Sequence, residues 1–253
     1  MRFVGVIPAR YASTRLPGKP LLEIAGKPLI QWVCEAAAKS RRLERLIVAT
    51  DEEAIFRTVV DFGGEAMMTR DDHASGTDRV AEVASRVDAE VFINVQGDEP
   101  LIQARVIDAV CEPFLTDPAL EISTAKVRIE NHDEASKPQV VKVVTDCRGQ
   151  ALYFSRSLIP YPRRPSAQFF KHIGIYGYRK RFLMALPELS PSPLESAEAL
   201  EQLRFLANGY RIQVAEVTDD SVGIDTPEDV ERVRPLLENK ALQAKSNLRG
   251  KES

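Results

Sequence analysis

Short apolar runs rich in Val and Ile recur along the first half of the chain: FVGVI at 3–7, RLIVAT at 45–50, EAMMT at 65–69 and VFINV at 91–95. Such runs predict strands buried on both faces of a parallel sheet. Between them lie PLIQWVCEAAAKS at 28–40, EEAIFRTVVDF at 52–62 and GTDRVAEVASRV at 76–87, with apolar residues at helical spacing and Asp51 as the expected cap of the second. Strand and helix in alternation predict a doubly wound α/β fold with ligands at the carboxyl ends of the strands.

After about residue 120 the rhythm turns β-rich, with EISTAKV, QVVKVVTD and ALYFS, and the DCRG turn at 146–149 predicts a hairpin. LIPYPRRP at 158–165 reads as a loop or arm, and PSPLESAEALEQLRFLANG at 191–209 as one helix stopped by Asn208 and Gly209. TPEDVERVRPLL at 226–237 reads as a final helix with Thr226 as cap and Pro227 in its first turn. Residues 238–253 hold no aromatic residue and are expected to form a frayed, disordered tail. The pattern gives one domain over 1–237, with a first part at 1–120 and a smaller β-rich lobe at 121–237.

Composition narrows this without changing it. The 253 residues are 44% hydrophobic and 28% charged with a net charge of −3, which suits a globular enzyme and disfavours nucleic acid as a partner. No apolar run approaches the roughly 20 residues that cross a bilayer, so no membrane partner is expected. Cys34, Cys111 and Cys147 form no CxxC pair and no plausible zinc set with the three histidines, which reads as reduced thiols in a cytoplasmic protein.

The strongest chemical signal is PARYASTRLPGKP at 8–20, which starts where the first strand ends. Arg10, Arg15 and Lys19 among Ala12, Ser13, Thr14 and Gly18 make a cationic, backbone-rich loop suited to a polyphosphate, the alternative being a solvated surface loop. No GxGxxG follows the first strand, and neither Gly18-Lys19 nor Gly26-Lys27 is followed by Ser or Thr, which argues against a dinucleotide oxidoreductase and a P-loop kinase. The second signal is VFINVQGDEPL at 91–101, where Asp98 leaves a strand end opposite the loop. Magnesium is held by one or two carboxylates plus substrate phosphates, so Asp98 either binds that metal or caps the helix that follows. Asp225 in SVGIDTPED carries the same two alternatives.

PARYASTRLPGKPL, HASGTDRVAE, VQGDEP, LYFSR, HIGIYGY, SPLE with EQLR, and DTPED occur in this order across residues 8–229. In this set the chain resembles the 3-deoxy-manno-octulosonate (Kdo) cytidylyltransferases. The resemblance implies a Rossmann-like nucleotidyltransferase fold, magnesium, a homodimer formed through the smaller lobe, and a reaction of CTP with Kdo that gives CMP-Kdo and pyrophosphate for lipopolysaccharide biosynthesis. It implies Arg10, Lys19 and Asp98 as catalytic residues, with Arg10, Ser13, Arg15 and Lys19 on the triphosphate and Asp98 and Asp225 on the metal. His73, Ser75, Gly76 and Arg79 fall along the cytidine, a plain loop histidine being the other reading of His73. On the sugar side it implies Gln96, His172, Tyr176, Glu201 and Gln202, and Arg156 is the expected fork for the sugar's carboxylate. Alternation along HIGIYGY places His172 and Tyr176 on one strand face. Alternatives are an amino-substituted Kdo or another ulosonic acid such as sialic acid as acceptor, and a catalytically silent nucleotide-binding protein.

Overall fold

The structure, a computed structural model, describes residues 1–11, 16–164 and 167–249, with side chains of the last helix as far as residue 243. Strand β1 (Phe3–Ala9) is buried along almost its whole length, as an apolar run on both faces requires. It leads through the loop and a single 3-10 turn (Lys19–Leu21) to a small hairpin, β2 (Glu23–Ile24) and β3 (Lys27–Pro28), before helix α1 (Leu29–Ala37). Ala25 and Gly26, with φ of 52° and 78°, make the tight turn of that hairpin, which the apolar pattern does not announce. Next come β4 (Leu43–Thr50), α2 (Glu53–Asp61), β5 (Glu65–Met68), α3 (Gly76–Arg86), β6 (Val91–Asn94) and α4 (Ala104–Thr116). Each expected strand and helix of this half is present within a few residues. The cap of α2 is a correction: Glu52, not Asp51, accepts from the Ala54 N–H, because Asp51 is engaged by Arg79 at 3.0 Å.

The second half supplies β7 (Ile122–Ile129), the short α5 (His132–Ala135), β8 (Lys142–Thr145), β9 (Ala151–Ser155) and the long β10 (Phe169–Arg179). It closes with α6 (Lys180–Ala185), α7 (Pro193–Glu198), α8 (Gln202–Ala207), β11 (Ile212–Val217) and α9 (Pro227–Arg249). Strands β8 and β9 form the expected hairpin, with Asp146 Oδ1 accepting the N–H groups of Arg148 and Gln150 in the turn. The single helix expected at 191–209 is two helices. Ala199 adopts a left-handed conformation (φ 50°), the Leu200 N–H returns to the Glu195 carbonyl, and Arg156 takes the Glu198 carbonyl that would have continued the helix.

The final helix also differs from expectation. It continues past residue 237 to Arg249, so the stretch expected to fray from Glu238 is helical that far, and only 250–253 fall outside the described residues. Pro235 removes one backbone donor, but Val230, Val233 and Leu237 are buried with Trp32 and Ile24, and beyond them Ala241 packs against the same cluster and Lys240 donates to the Pro100 carbonyl.

Among the described residues nine strands form one sheet, ordered β11-β7-β10-β6-β1-β4-β5, with β8 and β9 attached beside β10. Along the seven-strand path only β10 runs against the others, so the sheet is mostly parallel. Helices α1, α2 and α4 bury Ile30, Val33, Ile55, Val59, Val106 and Val110 on one face. Helices α3, α6 and α8 bury Val80, Val83, Phe182 and Leu203 on the other, which is the doubly wound arrangement expected. Cys34 and Cys111 are buried and Cys147 is exposed, all three as free thiols, and burial pushes the Cys34 thiol up to about 12. Among the described residues no helix is long and apolar enough to cross a membrane.

Candidate active site

The carboxyl ends of β1 and β6 open onto a cleft of about 310 Å³ lined by Pro8, Arg10, Gly76, Thr77, Asn94, Gln96, Tyr176 and Glu201. Two backbones approach closely there: a Cβ on Gly97 would stand 2.9 Å from the Pro8 carbonyl oxygen, so a glycine is needed for the 96–99 turn to lie against β1. That turn places Asp98 beside the basic loop. Gly18 (φ 70°) donates its N–H to the Tyr11 carbonyl and closes the loop's base, aiming Lys19 inward. Ser13 and Arg15, expected on the triphosphate, lie outside the described residues.

Lys19 is the hub of the charged end. Its Nζ donates to Asp98 Oδ2 at 2.6 Å, to the Ile224 carbonyl at 2.9 Å and to Asp225 Oδ1 at 3.2 Å, with the lysine side chain 14% exposed. The Ile224 N–H donates to the Asp98 carbonyl at 2.9 Å, locking the two carboxylate-bearing segments together. Neither aspartate is a helix cap. Gln103 stands at the cap of α4, and α9 starts with a reciprocal pair in which Thr226 Oγ1 accepts the Asp229 N–H while Asp229 Oδ2 accepts from Thr226. Asp225 is not at a strand end either: it lies on the loop between β11 and α9.

Two carboxylates on one point fit a magnesium ion, which takes one or two protein oxygens and completes its shell with phosphate and water. They do not make an all-protein cage, for the described residues hold no cluster of three or more His, Cys, Asp or Glu side chains placed for a metal. Glu99, which sequence reasoning passed over, turns away from Lys19 and accepts the Ser221 hydroxyl at 2.6 Å; burial pushes its carboxyl up to about 7. With Lys171 on Asp220 at 2.7 Å, this contact fastens the loop that carries Asp225.

The other expected site residues divide. Gln96 lines the cleft and donates to the Gly174 carbonyl at 2.7 Å. That carbonyl belongs to a two-residue excursion of β10, after which Tyr176 pairs with Thr124 where His172 paired with Lys126. The excursion preserves the face, so His172 and Tyr176 do meet, their rings 5.3 Å apart. His172 also packs on Phe154 and meets the Thr124 hydroxyl at 3.0 Å; an edge stays accessible, and burial lowers its ring to about 3, which keeps it neutral. Glu201 lines the cleft and accepts the Thr77 hydroxyl, and burial raises its carboxyl above the ordinary range. Gln202 is buried at the start of α8 and is not part of the cleft lining.

Arg156 departs from expectation. Its guanidinium donates to the carbonyls of Glu198 (2.7 Å), Pro138 (3.3 Å) and Ala199 (3.4 Å), and it is not part of the cleft lining. On the cytidine side Gly76 and its neighbour Thr77 reach the cleft. Ser75 is spent as the cap of α3, in a reciprocal pair with Asp78. Arg79, expected along the cytidine, is fully buried and holds Asp51 and Thr69, so its guanidinium ties strand ends together. His73 is paired with Glu82 and lines a separate hollow of about 530 Å³ with Arg70, Leu183 and Met184, which shares no lining residue with the cleft.

Asn94 is a cleft residue that sequence reasoning missed. Asn94 is 4% exposed, pairs across strands with Tyr176, and its Oδ1 has no hydrogen-bond partner. An amide closing an otherwise apolar strand was the available signal. The Tyr176 hydroxyl lies near that of Thr124 but makes no well-formed hydrogen bond, so the cleft floor carries unspent polar groups.

A mostly parallel sheet whose strand ends open onto a cleft, with cations and a pair of carboxylates gathered beside it, is the layout of an α/β nucleotidyltransferase. A family model described as cytidylyltransferase matches residues 4–212. The chain is 52% identical over 247 residues to a 3-deoxy-manno-octulosonate cytidylyltransferase of Syntrophotalea carbinolica, covering 94% of this chain and 99% of the relative. It is 50% identical to one of Solibacter usitatus, covering 97% and 98%. A solved CMP:2-keto-3-deoxy-manno-octonic acid synthetase complexed with CTP superposes with a TM-score of 0.92 at 47% identity, covering 95% of this chain and all of that one. The chain belongs to the 3-deoxy-manno-octulosonate cytidylyltransferase family.

Proposed function

We propose that this enzyme joins CTP and Kdo to give CMP-Kdo and pyrophosphate. The sugar's anomeric hydroxyl oxygen forms the new bond to the α-phosphorus of CTP, the bond from that phosphorus to the bridging oxygen of the β-phosphate breaks, and the hydroxyl proton is lost to solvent. The observation that carries the reading is Lys19 set between Asp98 and Asp225, with Arg10 on the same cleft. Arg10 and Lys19 neutralise phosphate oxygens as charge shifts toward the leaving pyrophosphate. Gln96, Tyr176 and Glu201, with Asn94 and Thr77 behind them, hold a polyhydroxy acid in line, a gain of orientation rather than of covalent chemistry. Asp98 and Asp225 would hold magnesium, which when bound supplies further charge neutralisation at the phosphates. The acceptor's identity is supported by relatives of 48–52% identity that carry the Kdo name.

The same reading makes the protein a cytoplasmic homodimer that provides activated sugar for lipopolysaccharide; this part is supported by the family resemblance. Pyrophosphate release with each nucleotide and with Kdo, 8-amino-Kdo and sialic acid tests the reaction. Release with CTP and Kdo at the highest kcat/KM is the expected result, and the highest value with another acid would replace Kdo as acceptor. Sedimentation velocity tests the dimer.

A further inference from the structure

The three protons of the Lys19 ammonium are all committed: one to each of two carboxylates and one to the Ile224 carbonyl. A magnesium ion taking the same carboxylate oxygens would stand about 2.0–2.1 Å from them. The ammonium already lies 2.6 Å and 3.2 Å from those oxygens, so metal and lysine would compete for the same lone pairs and repel each other at close range. Nothing rigid fixes the ammonium there. The backbone of Lys19 is held in its 3-10 turn, but the charge rides on a four-carbon stem with freely turning donors. A triphosphate arriving beside Arg10 brings the anionic oxygens that such an ammonium needs in exchange.

We propose that Lys19 is a resident counter-ion: in the nucleotide-free protein it occupies the Asp98 and Asp225 pair and keeps divalent cations out, and the triphosphate draws it away. Uptake of the metal is thereby made conditional on CTP. The inference rests on the proposed function, since it takes CTP as the ligand, but it makes a separate claim about the free protein. A lysine that merely braced the loop would lose metal and nucleotide binding together when removed. A counter-ion moves the two in opposite directions.

The test uses the full chain without nucleotide and reads bound Mn²⁺ from the loss of the free-ion EPR signal. Lys19→Met is expected to bind Mn²⁺ at least tenfold more tightly than the wild type, and adding Asp98→Asn is expected to abolish the gain. In EDTA, calorimetric CTP binding is expected to weaken at least tenfold in Lys19→Met. Mn²⁺ affinities within twofold of each other, a gain that survives Asp98→Asn, or metal and CTP affinities that fall together would each overturn the proposal. If Lys19→Met does not give a wild-type circular dichroism spectrum, Lys19→Gln is read by the same criteria. Failure of the wild type to release pyrophosphate from CTP with any sugar acid would instead refute the functional reading, and the Mn²⁺ comparison distinguishes the two failures.

Discussion

Two lysines each donate three hydrogen bonds, and they do opposite things. Lys19 gives two of its three to carboxylates at the mouth of a cleft, whereas Lys142, fully buried on β8, gives all three to backbone carbonyls of Lys137 (3.0 Å), Val140 (2.6 Å) and Arg156 (2.6 Å). A carboxylate has other uses for its charge and can exchange an ammonium for a metal. A backbone carbonyl carries no net charge to offer a metal, so a cation that satisfies three of them belongs to the architecture, and burial lowers the pKa of Lys142 below the ordinary lysine value. Arg156, held by three backbone carbonyls, falls on the Lys142 side of this division. Cations of the same type are thus sorted by what they hold.

The largest effect expected from breaking this contrast is at Asp98. Asp98→Asn should lower kcat/KM by about 10³-fold, roughly 4 kcal/mol of transition-state stabilisation, with the melting temperature nearly unchanged. Unchanged turnover at saturating magnesium would remove Asp98 from the reaction.

Lys142→Met should do the reverse, costing about 1–3 kcal/mol of folding stability by removing three charge-assisted hydrogen bonds to backbone carbonyls while sparing the KM for CTP. Urea unfolding beside steady-state kinetics reads both; a stable variant with poor CTP use would collapse the distinction between the two lysines.

Arg156→Lys sharpens the comparison at its least settled point. The sugar-carboxylate role implies a rise of about tenfold in the KM for the acceptor with that for CTP unchanged. The observed carbonyl ties imply a loss of about 1–2 kcal/mol in stability with both constants spared. Measuring both KM values and the unfolding midpoint separates these outcomes.

A pH-dependent effect concerns His172. The unfolded chain takes up a proton on this ring as pH falls through about 6.5, the folded protein only near 3. Between those values the unfolded state binds more protons, so His172 makes stability fall as the pH is lowered through that window. His172→Gln should flatten the decline in urea midpoint between pH 7 and 4; an identical slope would show that the ring charges freely in the folded state.

Much of the frame could be read from the chain because local and tertiary preferences agree there. β1 and β6 are apolar runs that stay buried, and α3 carries its own start signal in Ser75 and Asp78. The misses share a cause, which is that a distant partner decided them. Ala199 is a poor residue for a left-handed turn, yet the helix breaks there with Arg156 seated on its carbonyls. Arg79 was placed along the cytidine by the family resemblance alone, whereas Asp51 and Thr69 receive its guanidinium. Past its expected end α9 keeps contact with the body of the protein through Ala241, packed against the Trp32 cluster, and Lys240, which donates to the Pro100 carbonyl. At the site, Lys19, Asp98 and Asp225 were visible as charges near strand ends or helix starts, but that they converge on one nitrogen is a property of the folded chain.

That convergence spans 206 positions from Lys19 to Asp225. During synthesis at roughly 5–20 residues per second, the lysine is made roughly 10–40 s before the second aspartate exists. The nascent protein can assemble β1 to β6, including Asp98, but its charged centre stays incomplete until the segment after β11 emerges and α9 settles against Trp32. The charged centre is therefore completed from the carboxyl end: a chain ending before residue 225 lacks the second aspartate and cannot assemble the site, however much of the sheet it holds.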